Sequence, residues 1–355
     1  MKHLSTVTVH HAAPRHGFGM VELMVALLVA SILAVAIGQV FLASGRSYRI
    51  HEQLARLTEN GRYALEVLVT DLRRAGHLGI LNGRAAITDR SAGGVSDGYR
   101  TAIENGRCMD IDWVRMLSHR VFGKDDNRGG YDCLPSEPVP VGDVLVTRYA
   151  APRYDLPPAG AMAQTVVHPD HLYLLARPDS STVIEGRRAG TLLSGGITDS
   201  VAELVAHGYF IRTSTTGSGC PAVNSLPALY RLAQSGNRLV AREIARGIEQ
   251  FQVQYGIDSN SDGTVDRYMD AMDASHPGWQ QVIAVRIWLL ARAECPETGY
   301  DNTQHYALGN VRVHPATTDR DSDGVIDGDV DGDGNDDYRR RLMSTTVTLR
   351  NPRDV

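Results

Sequence analysis

The sequence has few of the signals that mark an enzyme. It contains no P-loop and no HExxH zinc motif, and no pair of carboxylates stands out as a catalytic setting. Its 13 histidines are scattered, apart from a cluster near the amino terminus. His168, His171 and His276 are therefore interpreted as turn or surface residues rather than a catalytic set. The sequence predicts a protein that is not an enzyme.

The chain has no excess of positive charge, since its net charge is −5. The short basic run Arg339, Arg340 and Arg341 directly follows a block of aspartates, so it is better read as balancing that block or starting a strand. No nucleic-acid partner is expected.

The longest apolar stretch of the chain contains a single charged residue, a carboxylate. GFGMVELMVALLVASILAVAIGQVFLAS, residues 17–44, is apolar or small throughout except for Glu22, and about 20 apolar residues are enough to cross a membrane. The first 17 residues contain Lys2 and Arg15 but no acid, which places the rest of the chain outside the cytoplasm. No small-residue cleavage site follows, so we expect the segment, about residues 20–43, to be retained.

The residues after the apolar segment continue with helical periodicity. Apolar or small side chains recur at helical spacing with charged residues between them, at Ile50, Leu54, Leu57, Gly61, Ala64, Leu65, Leu68 and Leu72. This pattern predicts one helix from about Gly19 to about Ala75, whose second half is amphipathic and which ends at Gly76 and Gly79.

These features resemble the amino terminus of type IV prepilins. A basic leader ends at Gly17, Phe18 follows, and Glu22 opens the apolar helix. The resemblance implies that a prepilin peptidase cuts after Gly17 and methylates Phe18. It also implies that Glu22 pairs with the terminal amine of a neighbouring subunit; a charge at the membrane edge is the alternative. The predicted segments are a leader at 1–17, a pilin helix at 18–78 and a head at 79–355.

Several further segments resemble PilW-type minor pilins. They are ENGRYALEVLVTDLRRAGHLG, LYRL, GIEQFQVQYGIDSNSDGTVDRYMD, VIAVRIWLLAR and YRRRLMSTTVTLRN. The resemblance implies a minor pilin that helps to start or cap a type IV pilus, in the inner membrane and then in the fibre. Its implied partners are other minor pilins, the major pilin and a calcium-binding tip protein. Two alternatives stay open: a pseudopilin of type II secretion, and a calcium-dependent adhesin displayed at the fibre tip.

The head has the pattern of an α+β fold. Six short runs rich in β-branched and aromatic residues are separated by Gly, Asp, Pro and Ser loops: DVLVTRYA, HLYLLARP, ELVAHGYFIR, FQVQYGI, QVIAVRIWLL and RLMSTTVTLR. We expect an antiparallel sheet packed against the long helix. Residues 79–140 show weak periodicity and many turn residues, which predicts a loop-rich insertion.

The four cysteines, Cys108, Cys133, Cys220 and Cys295, all follow the apolar segment. An even number in an oxidising compartment favours two disulfides over a metal site, because no CxxC is present. Three pairings are allowed. The simplest joins Cys108 to Cys133 and Cys220 to Cys295, since each bridge closes within its own region.

Acidic residues recur three times at the spacing of calcium-binding loops, in DSNSDGTVD, DRDSDGVID and DVDGDGNDD. Calcium takes six to eight oxygen ligands, and alternate residues of a tight turn can supply them. The candidate ligands are Asp258, Asn260, Asp262, Thr264 and Asp266, then Asp319, Asp321, Asp323 and Asp327, then Asp329, Asp331, Asp333 and Asp337. No glutamate stands at position twelve of the first loop, so a shorter extracellular module fits better than an EF-hand. The alternative is a solvated Asp-Gly turn that binds no ion.

Overall fold

The computed structural model describes residues 19–78, 86–89, 112–115, 117, 119–126, 142–152, 168–176, 180–187, 200–214, 220, 226–272, 276–297, 299–314 and 336–350. The chain divides into two compact units, Met1–Glu52 and Gln53–Val355.

The predicted long helix is present and continuous. Helix α1 spans Met20–Arg74. In the first unit its apolar side chains are exposed, among them Met20 at 83% and Phe41 at 78%. This part is long and apolar enough to cross a membrane. The helix ends where Gly76 takes a positive φ of 77°, a backbone conformation that glycine adopts without strain.

Within the second unit, the rest of α1 packs one face against the sheets. Its buried residues are Leu57, Gly61, Ala64, Leu68, Asp71 and Leu72, as the periodicity predicts. Gly61 allows a close approach, because a Cβ at this position would lie only 2.7 Å from Sδ of Met343. The second half of the helix is therefore part of the hydrophobic core of this unit.

The second unit contains short strands around this helix. They are β1 (Ala86–Asp89), β2 (Val121–Lys124), β3 (Val144–Pro152), β4 (Leu172–Ala176), β5 (Ser180–Glu185), β6 (Ser200–Thr213), β7 (Pro227–Ser235), β8 (Arg238–Arg246), β9 (Ile248–Ile257), β10 (Arg267–Met269), β11 (Val282–Arg292), β12 (Tyr306–Leu308), β13 (Val311–Val313) and β14 (Arg340–Thr348). A short helix α2 spans Asp112–Arg115, and a 3-10 helix spans Pro277–Gln281.

The larger sheet has eight strands and is organised around the long strand β6. One edge of β6 pairs with β3. The other edge pairs with β4 near the start of β6 and with β7 near the end of β6. The path runs β1-β5-β4-β6-β3-β2, with β8 paired to β7. All of these pairings are antiparallel except β1 with β5.

The second sheet has four strands in the order β10-β9-β11-β14, all antiparallel, and β12 and β13 form a separate hairpin. Each of the six strands predicted from sequence is present, in β3, β4, β6, β9, β11 and β14. The predicted α+β class, with a long amino-terminal helix and antiparallel sheets, is confirmed. In the predicted loop-rich insertion the described elements are only β1, α2 and β2.

Asp71 joins the helix to the larger sheet through a buried polar network. Its carboxylate accepts hydrogen bonds from the hydroxyls of Tyr149 on β3, at 3.1 Å, and of Tyr209 on β6, and it pairs with Nδ1 of His207 on β6. Only 4% of Asp71 is exposed. Burial alone would raise the pKa of Asp71, but its hydrogen bonds and the charge of His207 hold that pKa below its usual value.

Arg340 forms a second buried network inside the smaller sheet. It is bidentate to Glu249, with Nη2 3.1 Å from Oε1, and its Nη1 lies 2.7 Å from Oδ1 of Asp336. The side chains of Arg340 and Glu249 are each 1% exposed. Because β11 lies between β9 and β14, this ion pair connects two strands that do not pair with each other.

Candidate functional site

The amino-terminal site predicted from sequence is described only from Gly19 onward. Gly17 and Phe18 lie outside the described residues, so leader cleavage at this junction stays a prediction. Glu22 is exposed in the first turn of α1, and its Oε2 lies 3.4 Å from the backbone N of Gly19. A carboxylate at this end of a helix is favoured by the helix dipole.

The first acidic loop connects β9 to β10 and closes on its own side chains. The carboxylate of Asp258 accepts from the backbone N–H groups of Asp262 and Gly263, at 3.2 and 2.9 Å. Oδ1 of Asp262 accepts from the backbone and hydroxyl of Thr264, at 2.8 and 2.6 Å. Asn260 contacts Asp262 through both its Oδ1 and its Nδ2. The loop is thus closed by hydrogen bonds between its own residues, and calcium binding by it stays a prediction.

The acidic side chains of this loop are occupied by hydrogen bonds. Asp266 accepts from the backbone and hydroxyl of Ser259, and these bonds hold its pKa below the usual value, as bonds from Thr264 do for Asp262. The three carboxylates of this described loop, at Asp258, Asp262 and Asp266, do not all lie within 4.8 Å of one another. Calcium binding here therefore requires the carboxylates to exchange some N–H partners for the ion.

The two tandem acidic loops are mostly outside the described residues. This applies to Asp319, Asp321, Asp323, Asp327, Asp329, Asp331 and Asp333. Asp337 is described and is buried, with 1% exposure, where the chain enters β14. Its backbone carbonyl accepts from the N–H of Glu297 at 2.9 Å. Calcium binding by these loops stays a prediction.

One disulfide closes the carboxyl-terminal half of the head. Cys220, between β6 and β7, is bonded to Cys295, just after β11, with the two Cα atoms 5.6 Å apart. This is one of the two bridges in the simplest predicted pairing. Cys108 and Cys133 lie outside the described residues.

A different group of acids, not singled out from the sequence, comes together in the fold. Asp125 and Asp126 directly follow β2, and Asp143 directly precedes β3. The antiparallel register, with Lys124 opposite Val144, brings these strand ends side by side, and one carboxylate oxygen from each acid lies within 4.8 Å of the others. In the sequence, these acids stand close to glycines in GKDDNRGG and VGDV. Nothing in the sequence connects these two segments until β2 and β3 are known to pair.

This acidic group lies where all three sheets meet. Asp143 accepts from the backbone N–H of Val253 on β9 at 2.7 Å, and the amide of Asn310, between β12 and β13, donates to Asp125 at 3.0 Å. Asp126 has a positive φ of 36°, and its backbone N–H donates to Asp143 at 3.0 Å. Burial raises the pKa of Asp143 to about 8, and the charges of Asp125 and Asp126 add to the rise while its two backbone hydrogen bonds oppose it.

The three histidines that the sequence analysis interpreted as turn or surface residues contact other polar groups. The rings of His168 and His171 are tilted by 35° with their centroids 4.8 Å apart, and Nδ1 of His171 lies 2.5 Å from Oε1 of Glu203. They line a cavity of about 380 Å³ with Asp170, Gln234 and Arg242. Nδ1 of His276 accepts from the N–H of Gly278 at 3.0 Å and caps the 3-10 helix.

Two family models match the chain in the regions that the sequence motifs indicated. The prokaryotic N-terminal methylation motif matches residues 13–38, and type IV pilus-assembly protein W, PilW, matches residues 208–351. The chain is thus similar to prepilins at its amino-terminal helix and to PilW in the second half of its head. In the described part of the chain, the region that matches PilW runs from within β6 through β14. It includes the first acidic loop, Cys220–Cys295 and the Glu249–Arg340 pair. Asp125, Asp126 and Asp143 lie outside both matched regions.

Among solved structures, a type IV-like pilin from Thermus thermophilus is 13% identical to this chain, with a TM-score of 0.33. The alignment covers 84% of this chain and 98% of that one. No curated protein matches the chain.

Proposed function

We propose that this chain is a minor pilin that is inserted in the inner membrane and helps to start or cap a type IV pilus. The observation that carries the proposal is the exposed apolar surface at the start of α1, most of which lies within the matched methylation motif. An apolar surface of this length requires lipid around it before assembly and other apolar helices around it afterwards. The PilW match favours a pilus over a secretion system. Pilins are structural proteins, and we propose no reaction for this one.

Processing at Gly17 is the direct test of this function. Replacing Gly17 with tryptophan should leave an unprocessed precursor in the inner membrane, because the bulky side chain blocks the peptide bond that the prepilin peptidase cuts. Mass spectrometry of the wild-type chain should show a methylated Phe18 at the amino terminus. A mature wild-type chain that begins at Met1 or after Ala43 would contradict the proposal.

The proposal assigns Glu22 to subunit association. Replacing Glu22 with alanine should leave membrane insertion intact, since a charge that is costly in lipid has been removed, yet weaken co-purification with other pilins. The matched control is Glu59→Ala, an exposed glutamate on the same helix. If both variants retain wild-type amounts of partner pilins, Glu22 has no pairing role.

We also propose that the first acidic loop binds calcium, as its spacing predicts. Millimolar calcium should raise the melting temperature of the full chain in detergent relative to chelator, because an ion that binds the folded state stabilises it. Asp262→Ala should reduce this shift, whereas the exposed Asp301→Asn should not. Equal shifts for wild type and Asp262→Ala would show that the loop is a solvated turn.

A further inference from the structure

Two histidines face each other at the open end of the β12–β13 hairpin. His305 directly precedes β12, and His314 directly follows β13. The register of the hairpin pairs Tyr306 with Val313, so the next residues outward, His305 and His314, stand opposite each other. Their ring centroids are 4.4 Å apart, and the Nδ1 atoms of the two rings are in direct contact. The hairpin thus brings together two ring nitrogens from residues that are nine positions apart in the sequence.

The two faces of this hairpin have different surroundings. One face carries buried apolar side chains that pack against β11, namely Tyr306, Leu308 and Val313. Because side chains alternate along a strand, the two histidines lie on the other face. His305 is exposed and His314 is half-buried. An ion from solvent can therefore reach the pair without disturbing the packed face.

Two ring nitrogens in contact require a positive centre between them. A neutral imidazole has one N–H group and one lone pair, so two Nδ1 lone pairs that face each other repel. A proton on one of the two nitrogens turns the contact into a single hydrogen bond. A metal ion accepts both lone pairs at once, and neutral imidazole is the commonest metal ligand in proteins. The contact between the Nδ1 atoms of His305 and His314 is therefore an observation that points to a ligand.

We propose that His305 and His314 bind a divalent transition-metal ion such as Zn²⁺ through their Nδ1 atoms. Imidazole suits Zn²⁺, Cu²⁺ and Ni²⁺, whereas Ca²⁺ and Mg²⁺ take oxygen ligands. Zn–N bonds are about 2.0–2.1 Å long, so two nitrogens on a tetrahedral ion lie about 3.3 Å apart. The two rings reach this separation by turning slightly away from each other on the open face of the hairpin. Water can complete the coordination.

The ion would fasten the two ends of the hairpin to each other. The segment before His305 is already held to the start of β14, because the amide of Asn302 donates to the carbonyl of Tyr338 at 3.0 Å. An ion shared with His314 would extend this connection to the strand that leaves the hairpin. A two-stranded hairpin is only marginally stable by itself, so closing its open end should stabilise it. The site does not rest on the pilus role, because the head alone brings its ligands together.

The test measures the melting temperature of the full chain in detergent, with chelator and with added Zn²⁺, together with bound Zn²⁺ by equilibrium dialysis. Histidines elsewhere in the chain contribute equally to wild type and variant, so the difference between them is the readout. At a free Zn²⁺ concentration ten times the Kd, His305→Gln and His314→Gln should each bind about one Zn²⁺ fewer per chain and lose about 3 °C of the zinc-induced rise. The double variant should lose no more than either single variant, because both depend on the same ion.

Two controls separate this site from other metal-binding groups. His168→Gln is the matched variant, since His168 also lies beside a second histidine of the head, His171. It should lose less bound Zn²⁺ than His305→Gln. Replacing Zn²⁺ with Ca²⁺ should give no difference between wild type and His305→Gln, which distinguishes the hairpin from the first acidic loop.

Two results would overturn the metal site. One is an equal zinc-induced rise and an equal amount of bound Zn²⁺ in wild type, His305→Gln and His314→Gln. The other is a loss in one of these two variants without a loss in the other, because the ion is then not shared by the pair. Dialysis decides the question even if a variant melts below wild type in chelator.

Discussion

Replacing Glu249 with alanine should lower the free energy of unfolding by about 3–5 kcal/mol. Arg340 is buried and charged, and Glu249 is its bidentate partner. Burial by itself would lower the pKa of Arg340, but Glu249 and Asp336 raise it above its usual value. The guanidinium stays charged after the substitution because arginine is not deprotonated in proteins. Among the described residues, Asp336 would then be the one carboxylate still paired with this buried positive charge. Urea unfolding of the full chain in detergent, followed by tryptophan fluorescence, measures the loss.

An exposed ion pair is the control for the Glu249 substitution. The side chain of Arg187 is 69% exposed and is paired with Asp170. Water already solvates both of these charges, so Asp170→Ala should leave unfolding unchanged within error. If Glu249→Ala and Asp170→Ala unfold alike, the buried pair does not stabilise the sheet.

Replacing Asp71 with alanine should lower the free energy of unfolding by about 3–5 kcal/mol, because two buried hydroxyls and the partly buried His207 lose one charged acceptor. The helix would also lose its polar connection to β3 and β6. Tyr149→Phe removes only one of the donors and should cost about 1 kcal/mol. The same urea unfolding assay gives both values.

The Asp71 effect should depend on pH in a defined direction. The folded pKa of Asp71 lies below its unfolded value of about 4, so its carboxylate stabilises the fold above that value and the stabilisation disappears as pH falls through the folded pKa. The difference between wild type and Asp71→Ala should thus be largest at neutral pH and shrink below about pH 4. A difference that is constant down to pH 2 would contradict this assignment.

The long helix and the main strands were predictable because their signals are local. Leu57, Ala64 and Leu68 recur with the period of a helix, and the same residues are buried. Strands β5 and β8 were not predicted. In β8 no residue except Ala245 is buried, so its exposed and half-buried side chains give little hydrophobic pattern.

The candidate sites also differ in whether their residues are close together in the sequence. The first acidic loop is contiguous in sequence, and its residues are hydrogen-bonded to one another. The group of Asp125, Asp126 and Asp143 was missed because 17 residues separate Asp126 from Asp143 and more than 100 separate Asp143 from Val253. No periodicity connects positions so far apart.

The sequence by itself determined the methylation motif, the exposed apolar helix, its amphipathic continuation and the class of the head. Each of these follows from neighbouring residues and from the fixed geometry of a helix, a strand or a turn. Only the tertiary structure decided which donors surround Asp71, which strands the Glu249–Arg340 pair connects, that Cys220 bonds Cys295, and that Asp125, Asp126 and Asp143 come together. These contacts depend on strand order and register, which are set by packing of the whole core and not by any short stretch of the chain.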